Sequence, residues 1–139
     1  MKKTSILLMA ILMMGVLILS ACGGGAEPVQ NDVPAEYANK TNPFTGDTSA
    51  VAAGKDIYDV RCATCHGDSG KGDGPAGQGL TPKPVDFSTV VSDTADNFLF
   101  YRISEGGAMD PFNSAMPAFK SILSENEIWQ VISYIKTFK

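Results

Sequence analysis

The 139-residue chain has one histidine, one tryptophan and three cysteines. Each scarcity excludes something. With one histidine, no metal centre with two imidazole ligands can be built from this chain. One C-x-x-C pair with one histidine beside it leaves a tetrahedral zinc site short of its fourth ligand. No stretch alternates apolar and polar residues as a half-buried strand requires, so a thioredoxin-like βαβ setting for that pair is missing too. Basic residues are the minority, 11 Lys and Arg against 15 Asp and Glu, for a formal net charge of −4. An acidic surface disfavours nucleic acid and suits partners with a basic docking patch. The N-terminal apolar run, residues 6–19, holds 14 residues interrupted by Gly15, too few to span a bilayer comfortably.

That run follows Lys2 and Lys3 and reads as the core of a signal peptide. It ends in Leu19-Ser20-Ala21-Cys22, which resembles a bacterial lipobox. The resemblance implies cleavage before Cys22 and a diacylglycerol on its thiol. Residues 1–21 are then a lipoprotein signal peptide, and the mature protein is exported, anchored to a cell membrane, and faces the periplasm or cell exterior. Two acyl chains suffice for stable attachment where one does not. Maturation also changes the composition. Lys2 and Lys3 leave while all 15 acidic residues stay, so the net charge becomes −6; Met109 and Met116 are the two methionines left of six, and Cys62 and Cys65 the two free thiols.

Residues 22–48 are rich in Gly, Pro, Asn and Thr without apolar periodicity and read as a lipidated flexible linker. Its first part, 23–38, is expected to be a free tether with a reach of roughly 22 Å, whereas Asn42-Pro43-Phe44 is open to packing on the domain. Residues 49–139 remain for one domain. Three segments have helical character: 49–62, with Ala53, Ile57 and Val60 in register and Gly54 and Tyr58 beside them; 95–105, ending at Gly106-Gly107; and 124–138. The last opens with an S-x-x-E capping box at Ser124 and continues with Ile128, Val131, Ile132 and Ile135, an amphipathic stripe. Pro75, Pro82, Pro84, Pro111 and Pro117 fall between these segments, and residues 67–93 show no period at all. So much irregular chain in a small domain calls for something else at its centre. A large apolar cofactor would fill it.

The sequence Arg61-Cys62-Ala63-Thr64-Cys65-His66-Gly67 contains C-x-x-C-H, which reads as covalent haem c attachment. Two thiols at this spacing can add across the two vinyl groups of one porphyrin, and the next residue, His66, then lies under the iron as its proximal ligand. A disulfide between the two cysteines would leave the histidine unexplained. Around this motif the chain resembles the small bacterial class I cytochromes c: AGKDIY (53–58) before CATCHG, then GKGDGP, TPKPVDF, Ile103 with Gly106-Gly107, MPAF (116–119), and the final segment with Trp129 and Tyr134. The resemblance implies an all-α class I cytochrome c fold, with three main helices and long loops around one covalently bound haem. Its first and last helices would cross near Gly54 and Tyr134.

The sixth iron ligand is left by composition to the sulfur of Met109 or Met116, or to an open or water-filled position. The MPAF resemblance places the axial methionine on Met116. It also implies that Pro75 offers the carbonyl that orients His66, with Pro82 and Pro84 as alternatives. Arg61, Arg102 and Trp129 could reach the propionates but read better as surface charges and a core aromatic, and Asp68 and Asp73 read better as solvated turn residues than as a calcium loop. The expected function is electron transfer without enzymatic turnover: a mono-haem, membrane-tethered carrier, or the cytochrome subunit of a respiratory or photosynthetic complex, working with redox partner proteins. The competing reading, a haem enzyme or gas sensor, requires an open sixth position.

Overall fold

The computed structural model describes residues 33–139; the expected signal peptide, Cys22 and the first part of the tether lie outside the described residues. The described residues form five helices, α1 (Thr48–Arg61), α2 (Ala63–His66), α3 (Phe87–Val90), α4 (Asp96–Glu105) and α5 (Glu125–Ile135), and no strand occurs among them. The three longer ones are those the periodicity indicates. The fold is all-α.

Two of the three long helices, α1 and α5, start where the sequence offers a side-chain partner for orphaned amide groups, whereas α4 follows Ala95 without a side-chain cap. Asp47 caps α1, its side chain accepting from the N–H of Ser49 at 2.8 Å and of Ala50 at 3.2 Å. At α5 the capping box is complete: Ser124 Oγ accepts from the Glu127 N–H, and the Glu127 carboxylate accepts from the Ser124 N–H at 2.8 Å. Gly106, with φ +75°, ends α4. Helix α5 stops at Ile135, short of the expected 138. Lys136 bonds the carbonyls of Val91 and Thr94, and Phe138 turns back toward Tyr58 and Phe87.

The central packing is α1 against α5. Ile128, Trp129, Val131, Ile132 and Ile135 are all buried, so the stripe read from the sequence is the core face. On α1 the face is Ala50, Gly54 and Tyr58, and the expectation for Val60 is corrected: it is 71% exposed. Two residues beyond Tyr58, it sits about 200° around the helix and cannot share its face. At the crossing, Gly54 lies directly on the backbone of Gln130 and Val131. Tyr58 meets Tyr134 edge-on at 5.2 Å.

The linker expectation is corrected at its C-terminal part. Residues 33–47 pack on the domain because they carry apolar and hydrogen-bonding side chains that find partners there. Tyr37 is buried, with ring centroids 6.1 Å from Phe100 and 5.1 Å from Tyr101, and its hydroxyl donates to Glu105. Lys40 pairs with Glu125 at 2.7 Å, and Asn42 donates to Ser133 at 3.1 Å.

Lys120 and Tyr37, both donating to Glu105, hold its carboxyl below the usual carboxylate range. A depressed folded-state value means that this contribution is complete above the unfolded value and is lost as pH falls through the folded one. Acidification below the ordinary carboxylate range should therefore loosen residues 34–40 first. Amide exchange at Tyr37 and Lys40 is expected to accelerate there while α1 and α5 stay protected; Tyr37→Phe should accelerate it already at neutral pH. Equal protection of both regions through the acid range would refute this coupling.

Candidate haem site

Helix α1 ends at Arg61, and Cys62 serves at once as its C-cap, donating to Tyr58 O at 2.8 Å, and as the residue preceding α2. The Cys62 carbonyl then accepts from the N–H of Cys65 at 3.1 Å and of His66 at 2.9 Å. Cys62, Cys65 and His66 thus stand at i, i+3 and i+4 of one turn, on one face. Gly67 closes the turn, its N–H donating to Ala63 O at 2.7 Å and its carbonyl accepting from the buried Tyr58 hydroxyl at 2.8 Å.

The following loop packs on the back of this turn. Ala76 N–H donates to Thr64 O at 2.9 Å. A Cβ on Gly74 would sit 2.5 Å from Thr64 O and 2.6 Å from Ala63 O, an approach only glycine permits. Pro75 is carried over the turn's backbone in consequence and remains exposed. The expectation placed on it is corrected: His66 Nδ1 is buried and makes no hydrogen bond to Pro75, Pro82 or Pro84. The backbone next to the ring is instead that of Val85, which favours the protonated imidazole.

The electrostatics suit a neutral donor set. Burial pushes the Cys62 thiol up to about 12, with Cys65 nearby adding to the effect. It is a thiol at neutral pH, unlike the acidic thiolates of redox pairs and zinc sites. Both cysteines are free. Burial lowers the His66 pKa, the Val85 backbone opposing it, so its imidazole is neutral with a lone pair to give. Among the described residues no three His, Cys, Asp or Glu side chains gather to hold a bare ion. Asp68 and Asp73 are exposed turn residues.

Met116 is tied to the end of α4. Its carbonyl accepts from Gly107 N–H at 2.9 Å, and beyond it Phe119 N–H donates to Ile103 O at 3.0 Å. Its side chain and that of Cys62 pack against the same apolar cluster. Met109 occupies the outer part of the 107–116 loop, where Arg102 Nη1 approaches its sulfur at 3.8 Å. Arg102 also covers the Phe112 ring at 3.4 Å. Arg61 is exposed, and Trp129 is buried against Phe100 at 4.3 Å. Two aromatics unassigned by sequence reasoning complete the surroundings: Phe87 stacks on the His66 ring at 4.6 Å, and Phe138 stacks on Phe87 at 6.0 Å. The cue available for Phe87 was Asp86, a helix-capping residue directly before an aromatic.

Two un-crosslinked thiols and a neutral imidazole on one face of one turn match what a covalently attached haem requires. Comparisons with known proteins agree. The Cytochrome c family matches residues 51–139. Cytochrome c-554(547) of Halothiobacillus neapolitanus is 33% identical over 91 residues, covering 64% of this chain and 97% of that protein. The Cbb3-type cytochrome c oxidase subunit CcoP of Rhodobacter capsulatus is 28% identical over 110 residues, covering 78% of this chain; the chain spans 36% of that subunit. The crystal structure of cytochrome CL from Methylophaga aminisulfidivorans superposes with a TM-score of 0.53 at 20% identity, covering 85% of this chain and 69% of that one, a likeness of fold. The chain belongs to the cytochrome c family, whose members bind haem c covalently and carry electrons through its iron.

Proposed function

We propose that this chain is a one-haem electron carrier with His66 and Met116 as axial ligands, tethered to a membrane through lipidated Cys22 on the periplasmic or outer side. The observation that carries the reading is the placement of Cys62, Cys65 and His66 on one turn against the core that also holds Met116, while Arg102 engages the sulfur of Met109. Cys62 and Cys65 would fix the porphyrin by thioether bonds. His66 would give its Nε2 lone pair and Met116 a soft thioether sulfur, the pairing suited to electron-transfer cytochromes. The haem supplies one-electron chemistry at its iron. The apolar cluster of Tyr58, Phe87, Phe100, Ile103 and Ile132 excludes water from that side of the site.

No helix among the described residues is long and apolar enough to cross a membrane, so membrane attachment in this reading rests on the lipid. The similarity to an oxidase subunit supports a role as the cytochrome part of a larger respiratory or photosynthetic complex, with redox proteins as partners. The test combines ligand binding with fractionation. Reduced protein at neutral pH is expected not to bind carbon monoxide, and the exported protein to partition with membranes until detergent is added. Ready carbon monoxide binding would move the assignment to an open-site haem enzyme or sensor. Recovery in the soluble exported fraction would remove the anchor.

A further inference from the structure

We infer that Arg102 seats a carboxylate of the haem, its guanidinium serving as the counter-charge for one propionate. The inference rests on the covalent haem of the family to which the chain belongs. A haem brings two propionate carboxylates, and a protein that encloses it has to meet their charge. Arg102 departs from the surface charge expected of it. It is half-buried, and its guanidinium carbon lies 3.4 Å from the centroid of the Phe112 ring. The polar contact its side chain makes among the described residues is the approach of Nη1 to the Met109 sulfur at 3.8 Å. A thioether is a weak acceptor and carries no charge.

The acids on its own helix and on the loop packed against it are engaged elsewhere. On α4, Asp96 pairs with Lys136 at 3.0 Å and Glu105 with Lys120 at 2.7 Å. In the 107–116 loop, Asp110 accepts from the Asn113 side chain at 2.6 Å. All four ion pairs among the described residues use lysine. Burial lowers the Arg102 pKa, with Tyr101 and no carboxylate opposing it. A guanidinium withdrawn from water without a partner is costly, whereas a carboxylate in its fork accepts two parallel N–H bonds. The surroundings add a second donor. A Cβ on Gly107 would lie 3.0 Å from Arg102 Nη2 and 1.8 Å from Ser114 Oγ, so the glycine lets guanidinium and hydroxyl close on the same spot. Gly107 N–H donates to Met116 O at 2.9 Å, and Ser114 N–H to Gly107 O at 2.7 Å. Both donors therefore stand at the neck of the loop that ends at Met116, whose side chain packs on the same core as Cys62.

The native reduced holoprotein tests this without a variant. Nuclear Overhauser contacts are expected between the Arg102 guanidinium protons and the methylene protons of one haem propionate, and their absence would overturn the inference. Reduction potential gives a second readout. A positive charge beside the haem favours the reduced, less positive iron. Arg102→Gln keeps a polar side chain and removes the charge, so the reduced-to-oxidised ratio at fixed solution potential should fall about tenfold, a potential lower by about 59 mV for a one-electron couple. Arg102→Lys keeps the charge and should recover most of that shift. Both variants are measured in the isolated protein, so a carboxylate on a redox partner contributes nothing to the result. An Arg102→Gln protein with native haem content and an unmoved or raised potential would overturn the inference and leave the guanidinium to a partner's carboxylate. A Lys variant displaced as far as the Gln variant would overturn it too, since the effect would then not be one of charge. Should Arg102→Gln fail to load haem, the native Overhauser contacts decide. A native chain without covalent haem would instead overturn the haem reading itself, which its intact mass reveals separately.

Discussion

Gly54→Ala is expected to lower the midpoint of thermal unfolding of the haem-loaded protein by roughly 15 °C, and Gly54→Val to prevent its accumulation. Gly54 is where α1 crosses α5. A Cβ there would collide with the Gln130 carbonyl and lie 3.0 Å from Val131 N. These are backbone atoms in the middle of a helix whose neighbours Ile128, Val131 and Ile132 are almost fully buried, so neither helix can yield by a side-chain rotation. Alanine brings a helix-propensity gain of about 1 kcal/mol over glycine. Overpacking a core costs about 1–3 kcal/mol when side chains can adjust, and a clash of two backbones exceeds that range. A net loss of about 3 kcal/mol takes a large share of the 5–15 kcal/mol typical of a domain and corresponds to the stated shift. Valine adds two methyl groups to the same interface. A Gly54→Ala midpoint within about 3 °C of the native one would show that the helices do not cross there as described.

Met116→Ala is expected to convert the iron from a saturated to an open centre. Methionine raises the potential of a histidine-ligated haem, so its loss should lower the reduction potential on the order of 0.2 V, within the span of about 0.8 V that axial ligands set. The oxidised variant should lose the sulfur-to-iron charge-transfer absorption, and the reduced one should bind carbon monoxide. Met109→Ala should leave absorption and potential near native, because its sulfur faces Arg102 rather than the core cluster. The variant pair separates two effects that one would confuse. A general loosening of the 107–116 loop would disturb both proteins, whereas loss of a ligand disturbs one. If Met109→Ala opens the iron and Met116→Ala does not, the ligand is Met109.

What was legible in the sequence was local. The capping box at Ser124 and the Ile128–Ile135 stripe specify α5 within one turn of chain, and C-x-x-C-H carries its geometry in five residues because a single helical turn supplies it. Contacts across the chain were not legible in the same way. Tyr37 reads as part of a Pro- and Asn-rich linker until Phe100, Tyr101 and Glu105, some 65 residues on, provide its partners. Val60 looked like a core residue because it is apolar, but Gly54 and Tyr58 fix the buried face of α1 and leave it outside. Pro75 sits where the family resemblance puts a carbonyl for His66, yet the close approach of Gly74 to the turn carries it over the backbone instead. Phe87, beside His66 in space and 21 positions away in sequence, lies in a stretch with no period to mark its burial.

The most direct test is the intact mass of the exported protein under denaturing conditions, with fragmentation across residues 58–71. The account predicts one haem that stays with the unfolded chain, attached through both Cys62 and Cys65 on a single peptide containing His66. A chain of unmodified mass, a haem removed by acid extraction, or a disulfide between the two cysteines would contradict it.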